Sequence, residues 1–162
     1  MTRLSLLVFI LIASPVNAAD WQGKVVSIAD GDTITVLHEN EQIKVRLYGI
    51  DCPEKKQPFG SRAKQMTGDR AAGKIVTVKP KAKDRYGRTV AEIILPDGKS
   101  LNQELLRAGL AWHFVRYAKN DKELARLEAE ASCAKRGLWT EKDPVAPWEW
   151  RKRAKNEPIR SN

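Results

Sequence analysis

Trp21 to Ile28, Thr33 to Leu37 and Ile43 to Leu47 are three short runs rich in β-branched and aliphatic residues. Only Ala29 to Asp32, with the turn Asp30-Gly31-Asp32, and His38 to Gln42, with the turn Glu39-Asn40-Glu41, lie between them. Connections this short restrict the runs to an antiparallel meander. In the third run Ile43, Val45 and Leu47 point one way, and Lys44, Arg46 and Tyr48 point the other. Ile75 to Val78 and Thr89 to Leu95 add a fourth and a fifth strand, the last closed by Pro96-Asp97-Gly98. Ala82 to Arg88 reads as a charged loop between them.

Three helices are predicted around these strands. The first covers 61–72, with Ser61 as N-cap and Gly73 as stop. The second opens at Ser100, with Gln103 at capping-box spacing, and stops at Gly109. The third is capped by Asn120, carries Leu124, Leu127, Ala131 and Ala134 on one face, and ends at Gly137. The aromatic segment Ala111 to Tyr117 reads as extended or irregular. Five strands that each need one face buried, with helices inserted and appended, define an α+β domain. A five-stranded OB-like β-barrel with three α-helices is the natural architecture.

The ends of the chain are read separately. Arg3 precedes an apolar run from Leu4 to Ile12, and Val16-Asn17-Ala18 supplies small residues for cleavage. Residues 1–18 are therefore expected to be a signal peptide, too short to span a bilayer. An exported product follows, periplasmic or extracellular. The domain is expected over 19–142, followed by a Pro- and Trp-containing basic tail at 143–162. Losing Arg3 leaves 28 Lys and Arg against 20 Asp and Glu, a formal charge of +8. That surplus favours a polyanionic partner without choosing among nucleic acid, anionic lipid and acidic polysaccharide. An oxidising compartment permits a bridge between Cys52 and Cys133, and one is expected.

Chemistry-bearing residues gather at three strand ends. The first turn holds Asp30 and Asp32, the end of the third strand holds Arg46, Asp51 and Glu54, and the fourth loop is Asp84-Arg85-Tyr86-Gly87-Arg88. Carboxylates beside guanidinium groups suit a site that handles a phosphate and a divalent cation. In this order and spacing, Asp30-Gly31-Asp32-Thr33, Arg46-Leu47 through Ile50-Asp51-Cys52-Pro53-Glu54, and Asp84 to Arg88 closely resemble the staphylococcal nuclease family. The Leu-Leu-Arg-Ala-Gly-Leu run before Ala111 and Gly137-Leu138-Trp139 are similar too.

The resemblance spans roughly residues 21–140. It implies a calcium-dependent phosphodiesterase acting on DNA and RNA. It also implies Asp32, Asp51 and the carbonyl of Cys52 as Ca2+ ligands, with Asp30 in support. Arg46 and Arg88 match the phosphate-binding arginines, Glu54 the general base, and Tyr86 a phosphate contact. Tyr117 matches a substrate-side tyrosine, but Val115 falls where the base-stacking tyrosine aligns. Trp112, Phe114, Trp148 and Trp150 are candidates to replace that stacking, against the commoner role of packing. His38 and His113 fall in no motif, and the cysteines are not spaced for zinc. No stable protein partner is implied, and a monomer is expected. The competing readings are a non-catalytic nucleic-acid-binding barrel and a general polyanion binder. Retention of Asp32, Arg46, Asp51, Glu54 and Arg88 favours catalysis over both.

Overall fold

The computed structural model describes residues 19–156. The expected leader at 1–18 and the last six residues lie outside the described residues. Strands β1 (Trp21–Asp30), β2 (Thr33–His38) and β3 (Glu41–Leu47) form the antiparallel meander. A two-residue strand β4 (Ile50–Asp51) and helix α1 (Gly60–Ala71) follow. Strands β5 (Ile75–Lys83) and β6 (Thr89–Ile94) then close the barrel in the order β1-β2-β3-β6-β5, with β5 paired back to β1. The β3–β6 pairing is parallel, so the barrel is not a simple meander.

Beyond it come α2 (Leu101–Arg107), strand β7 (Trp112–His113), which pairs with β4, and the single turn α3 (Val115–Ala118). Helix α4 (Lys122–Cys133), a 3-10 turn at Gly137–Thr140 and helix α5 (Pro147–Asn156) complete the described chain. The α+β barrel is as predicted, with five α-helices instead of three. Among the described residues no helix is long and apolar enough to cross a membrane.

The alternation explains the core. Val25, Ile34, Val36, Val45, Leu47, Val76, Val78, Ala91 and Ile93 are buried inside the barrel. Leu101, Leu105 and Leu106 of α2 and Leu124 and Leu127 of α4 extend the same apolar cluster. Buried Asn102 fixes α2 to the barrel. Its Oδ1 accepts from Ile93 N at 3.1 Å, and its Nδ2 donates to Tyr48 O at 2.9 Å. The backbone leaving β3 toward the charged segment is thereby held in place.

Several local expectations change. Strand β5 runs on to Lys83, past Pro80, because the ladder with β6 resumes after an irregularity between Pro80 and Ala82. Proline has no N–H to donate, so the ladder shifts instead of ending. Helix α1 starts at Gly60 after Phe59 in a left-handed conformation, and Ser61 is not its cap. Asp121, not Asn120, caps α4 by accepting from Leu124 N at 3.1 Å. Ser100 precedes α2 without a capping bond from its side chain. The expected disulfide is absent: Cys52 and Cys133 are both free, the first buried and the second exposed. Cys52 lies against Ala63 beneath Gly31, committed to the core.

His113, which falls in no motif, is a packing residue. It is buried, its Nε2 lies 2.9 Å from Ala118 O, and its backbone N donates to Glu128 Oε1 at 2.8 Å. Burial pushes the Glu128 carboxyl above the usual range, partly opposed by that donated bond. The fold thus favours the protonated acid, and its contribution to stability declines as pH rises through the folded-state value. Glutamine keeps the acceptor without the charge. Glu128→Gln is therefore expected to gain on the wild type by about 1 kcal/mol or less between about pH 4 and about pH 7. Denaturant unfolding at both pH values checks this, and a relative loss at the higher pH would contradict it.

Candidate active site

The site is built on turns that the barrel holds at one mouth. The turn between β1 and β2 carries Asp32. Its peptide N donates to Asp30 Oδ1 at 3.2 Å, and its carbonyl accepts from Leu47 N at 2.8 Å. Its Oδ2 accepts from Cys52 N at 2.7 Å, and its Oδ1 accepts from Thr33 Oγ1 at 3.2 Å. Asp32 therefore ties the first turn to the end of β3 through its carbonyl and to the loop beyond β4 through its carboxylate. Asp51 sits in β4, whose pairing with Trp112 of β7 sets its backbone.

Arg46, on the outward face of β3, joins these acids. Its guanidinium pairs with Asp32 through Nη1 and with Asp51 Oδ1 through Nη2 at 2.7 Å. The two carboxylates are 4% and 1% exposed at the residue level. Buried carboxylates need such counter-charges, and a guanidinium fork can serve two of them. The sequence-predicted convergence of Asp32, Arg46 and Asp51 is therefore present.

Glu54 lies on the loop between β4 and α1, with a half-exposed side chain. Gln57 braces that loop: Glu54 N donates to Gln57 Oε1 at 3.1 Å, and Gln57 N donates to Glu54 O at 2.8 Å. Gly60 closes it from below. A Cβ there would meet Glu54 O at 1.9 Å, so only glycine permits this approach of α1 to the loop.

Arg88 stands apart from the acids around Arg46. The parallel register Val45↔Thr89 and Arg46↔Val90 puts it one residue before β6, two residues ahead of the partner of Arg46. Val90, two residues on from Arg88, pairs with Arg46 on the outer face of the barrel. The Arg88 side chain is held by Asp84, Nε to Oδ2 at 2.7 Å. Burial opposes ionisation of Asp84, but bonds from Arg88 and from the Tyr86 backbone hold its carboxyl below the usual value. Tyr86 is exposed, with the Arg85 and Arg88 guanidinium carbons 4.8 and 5.6 Å from its ring centre. Tyr117 is exposed beside Phe114, with ring centres 5.1 Å apart. Trp112 and Trp148 pack together and with Trp139 and Phe114 respectively, which is packing, as the commoner reading had it. The Cys52 thiol is pushed up by burial and remains neutral.

One member of the site was missed. Arg151 of α5 donates to Asp51 Oδ2 at 2.7 Å and to Glu54 Oε1 at 2.6 Å. Burial works against its charge, but bonds to Asp51 and Glu54 hold its pKa above the ordinary value. The basic run 151–153 reads in sequence as part of the Pro- and Trp-containing basic tail. The available signal was the tryptophan pair just before it, which a free tail does not need.

A small closed barrel whose mouth presents two buried acids, a bridging arginine and a rim glutamate defines a class that the comparisons also identify. The staphylococcal nuclease homologue family matches residues 44–141. An "uncharacterized endonuclease" of Escherichia coli is 45% identical over 147 residues, covering 91% of this chain and 95% of the relative. A "micrococcal nuclease" of Shigella flexneri is 40% identical over 156 residues, covering 91% and 90%. A "staphylococcal-like nuclease" of Arabidopsis thaliana is 41% identical over 122 residues, covering 72% of this chain and 37% of the relative. The chain belongs to the staphylococcal nuclease family. It is accordingly an enzyme of the nuclease class, a hydrolase acting on ester bonds.

Proposed function

We propose that this enzyme is an exported, calcium-dependent nuclease that hydrolyses phosphodiester bonds of DNA and RNA and acts as a monomer. The observation that carries the reading is the single guanidinium of Arg46 held between two buried carboxylates. The donor chemistry fits a hard cation. Asp30, Asp32, Asp51 and Glu54 carry four negative charges around Arg46 and Arg151, an excess that one divalent ion would balance. Among the described residues no group of three or more His, Cys, Asp or Glu side chains gathers as a cation site. By the family resemblance, Asp32, Asp51 and the Cys52 carbonyl would hold the ion, with water and substrate oxygens completing its shell. When bound, Ca2+ supplies charge neutralisation at the phosphate.

The chain's own residues do the rest. Arg46 offers paired N–H groups to the equatorial phosphate oxygens, where charge builds as water attacks. Arg88 supplies a second fork on leaving Asp84 for the phosphate. Glu54, at the solvent rim, takes the proton of the attacking water. Tyr86 and Tyr117 offer exposed rings and hydroxyls to the substrate.

Digestion of DNA and RNA by the purified 19–162 protein tests this. Activity is expected with CaCl2, is lost on adding EGTA and returns with excess CaCl2. Undiminished activity in EGTA would overturn the calcium assignment. Tight nucleic-acid binding without hydrolysis under any divalent cation would favour the binding-module alternative.

A further inference from the structure

The basic run at the C-terminal end contributes one residue to the site. We propose that Arg151 is a positioning residue, its guanidinium fork holding Asp51 and Glu54 in one fixed relation. The proposal rests on the assignment of Glu54 as base and Asp51 as cation ligand. The fork touches both: Nη2 is 2.7 Å from Asp51 Oδ2, and Nη1 is 2.6 Å from Glu54 Oε1 and 3.4 Å from Asp51 Oδ1. These partners lie 100 and 97 residues away in the chain, so a built approach delivers it.

Trp148 supplies that approach, its ring centre 5.4 Å from Phe114 and 5.9 Å from Trp112. Gln57 supplies a second tie, donating from Nε2 to Val145 O at 2.6 Å while its Oε1 accepts from Glu54 N. One side chain thus joins the Glu54 loop to the lead-in of α5. The neighbouring Lys152 turns away to pair with Glu149 at 2.7 Å. The Arg151 side chain is 41% exposed, so its ion pairs contribute little to stability and their value is geometric. A lysine would bring the charge without a fork wide enough for two carboxylates.

Arg151 also sets a positive charge beside a proposed cation ligand, so it opposes cation binding while it orders the site. Positioning and packing therefore predict different results. In Arg151→Met, kcat on DNA is expected to fall about tenfold to a hundredfold with little change in KM. CaCl2, titrated by calorimetry, is expected to bind roughly tenfold tighter. Arg151→Lys should return CaCl2 affinity toward wild type and recover only part of kcat. Trp148→Ala, which undocks α5, should repeat the kcat loss. Circular dichroism melts report whether each variant folds.

Unchanged kcat in Arg151→Met overturns the proposal, as does weakening of both kcat and CaCl2 affinity, the mark of a packing role. Loss of kcat in Trp148→Ala alone would also overturn it. If the wild type binds no CaCl2, the calcium assignment falls, and kcat of Arg151→Met with whichever cation supports activity decides Arg151 by itself.

Discussion

Arg46→Ala is expected to lower turnover on DNA by about a thousandfold. It should also lose about 3 kcal/mol of folding stability when cations are chelated. Both effects come from one geometry. In the proposed mechanism Arg46 meets the charge that develops on the phosphate, and in the structure it is the counter-ion shared by Asp32 and Asp51. Its side chain is only 17% exposed, so water cannot take over that second duty. Removal leaves Asp32 without its guanidinium and Asp51 with Arg151 alone. The proposed divalent cation would restore positive charge to the same two carboxylates. CaCl2 should therefore recover part of the lost stability and none of the lost turnover. Denaturant unfolding in EGTA and in CaCl2, with single-turnover digestion, separates the two effects. A stability loss of equal size with and without the cation would show that Arg46 and the ion do not share the site.

Glu54→Gln should reduce turnover by about a hundredfold to ten-thousandfold, the range for losing a positioned proton acceptor. Its folding stability should change by less than about 1 kcal/mol, because the side chain is half-exposed and the loop is braced by backbone bonds to Gln57. Glutamine retains an oxygen for Arg151 but cannot take a proton. Wild-type turnover in this variant would remove Glu54 as the base. With stability unchanged, a loss in kcat at constant KM assigns the effect to the chemical step.

The two predictions rest on residues of unequal legibility. Asp32, Arg46 and Asp51 were readable because each lies at the end of an alternating strand or in a tight turn, where local pattern fixes position. Arg88 was readable as a residue, but not its bond to Asp84, since an i,i+4 pair across a turn forms only once β5 and β6 have paired. Cys52 and Cys133 illustrate the opposite failure. An even count in a chain expected to be exported permits a bridge, yet core packing under Gly31 claims the first thiol.

From residues alone came the strand meander, its inward and outward faces, and the acids and arginine crowded at its turns. Those features depend on contacts a few residues apart, where side-chain period and turn chemistry decide the outcome. Only the tertiary structure decided that β3 runs parallel to β6, that α5 folds back across the Glu54 loop and that Arg151 reaches Asp51. Each of those depends on surfaces contributed by distant segments, such as Trp148 against Phe114, and on their mutual fit. A basic run carries the same local pattern whether it waves in solvent or closes a site, so its neighbours in space had to determine which.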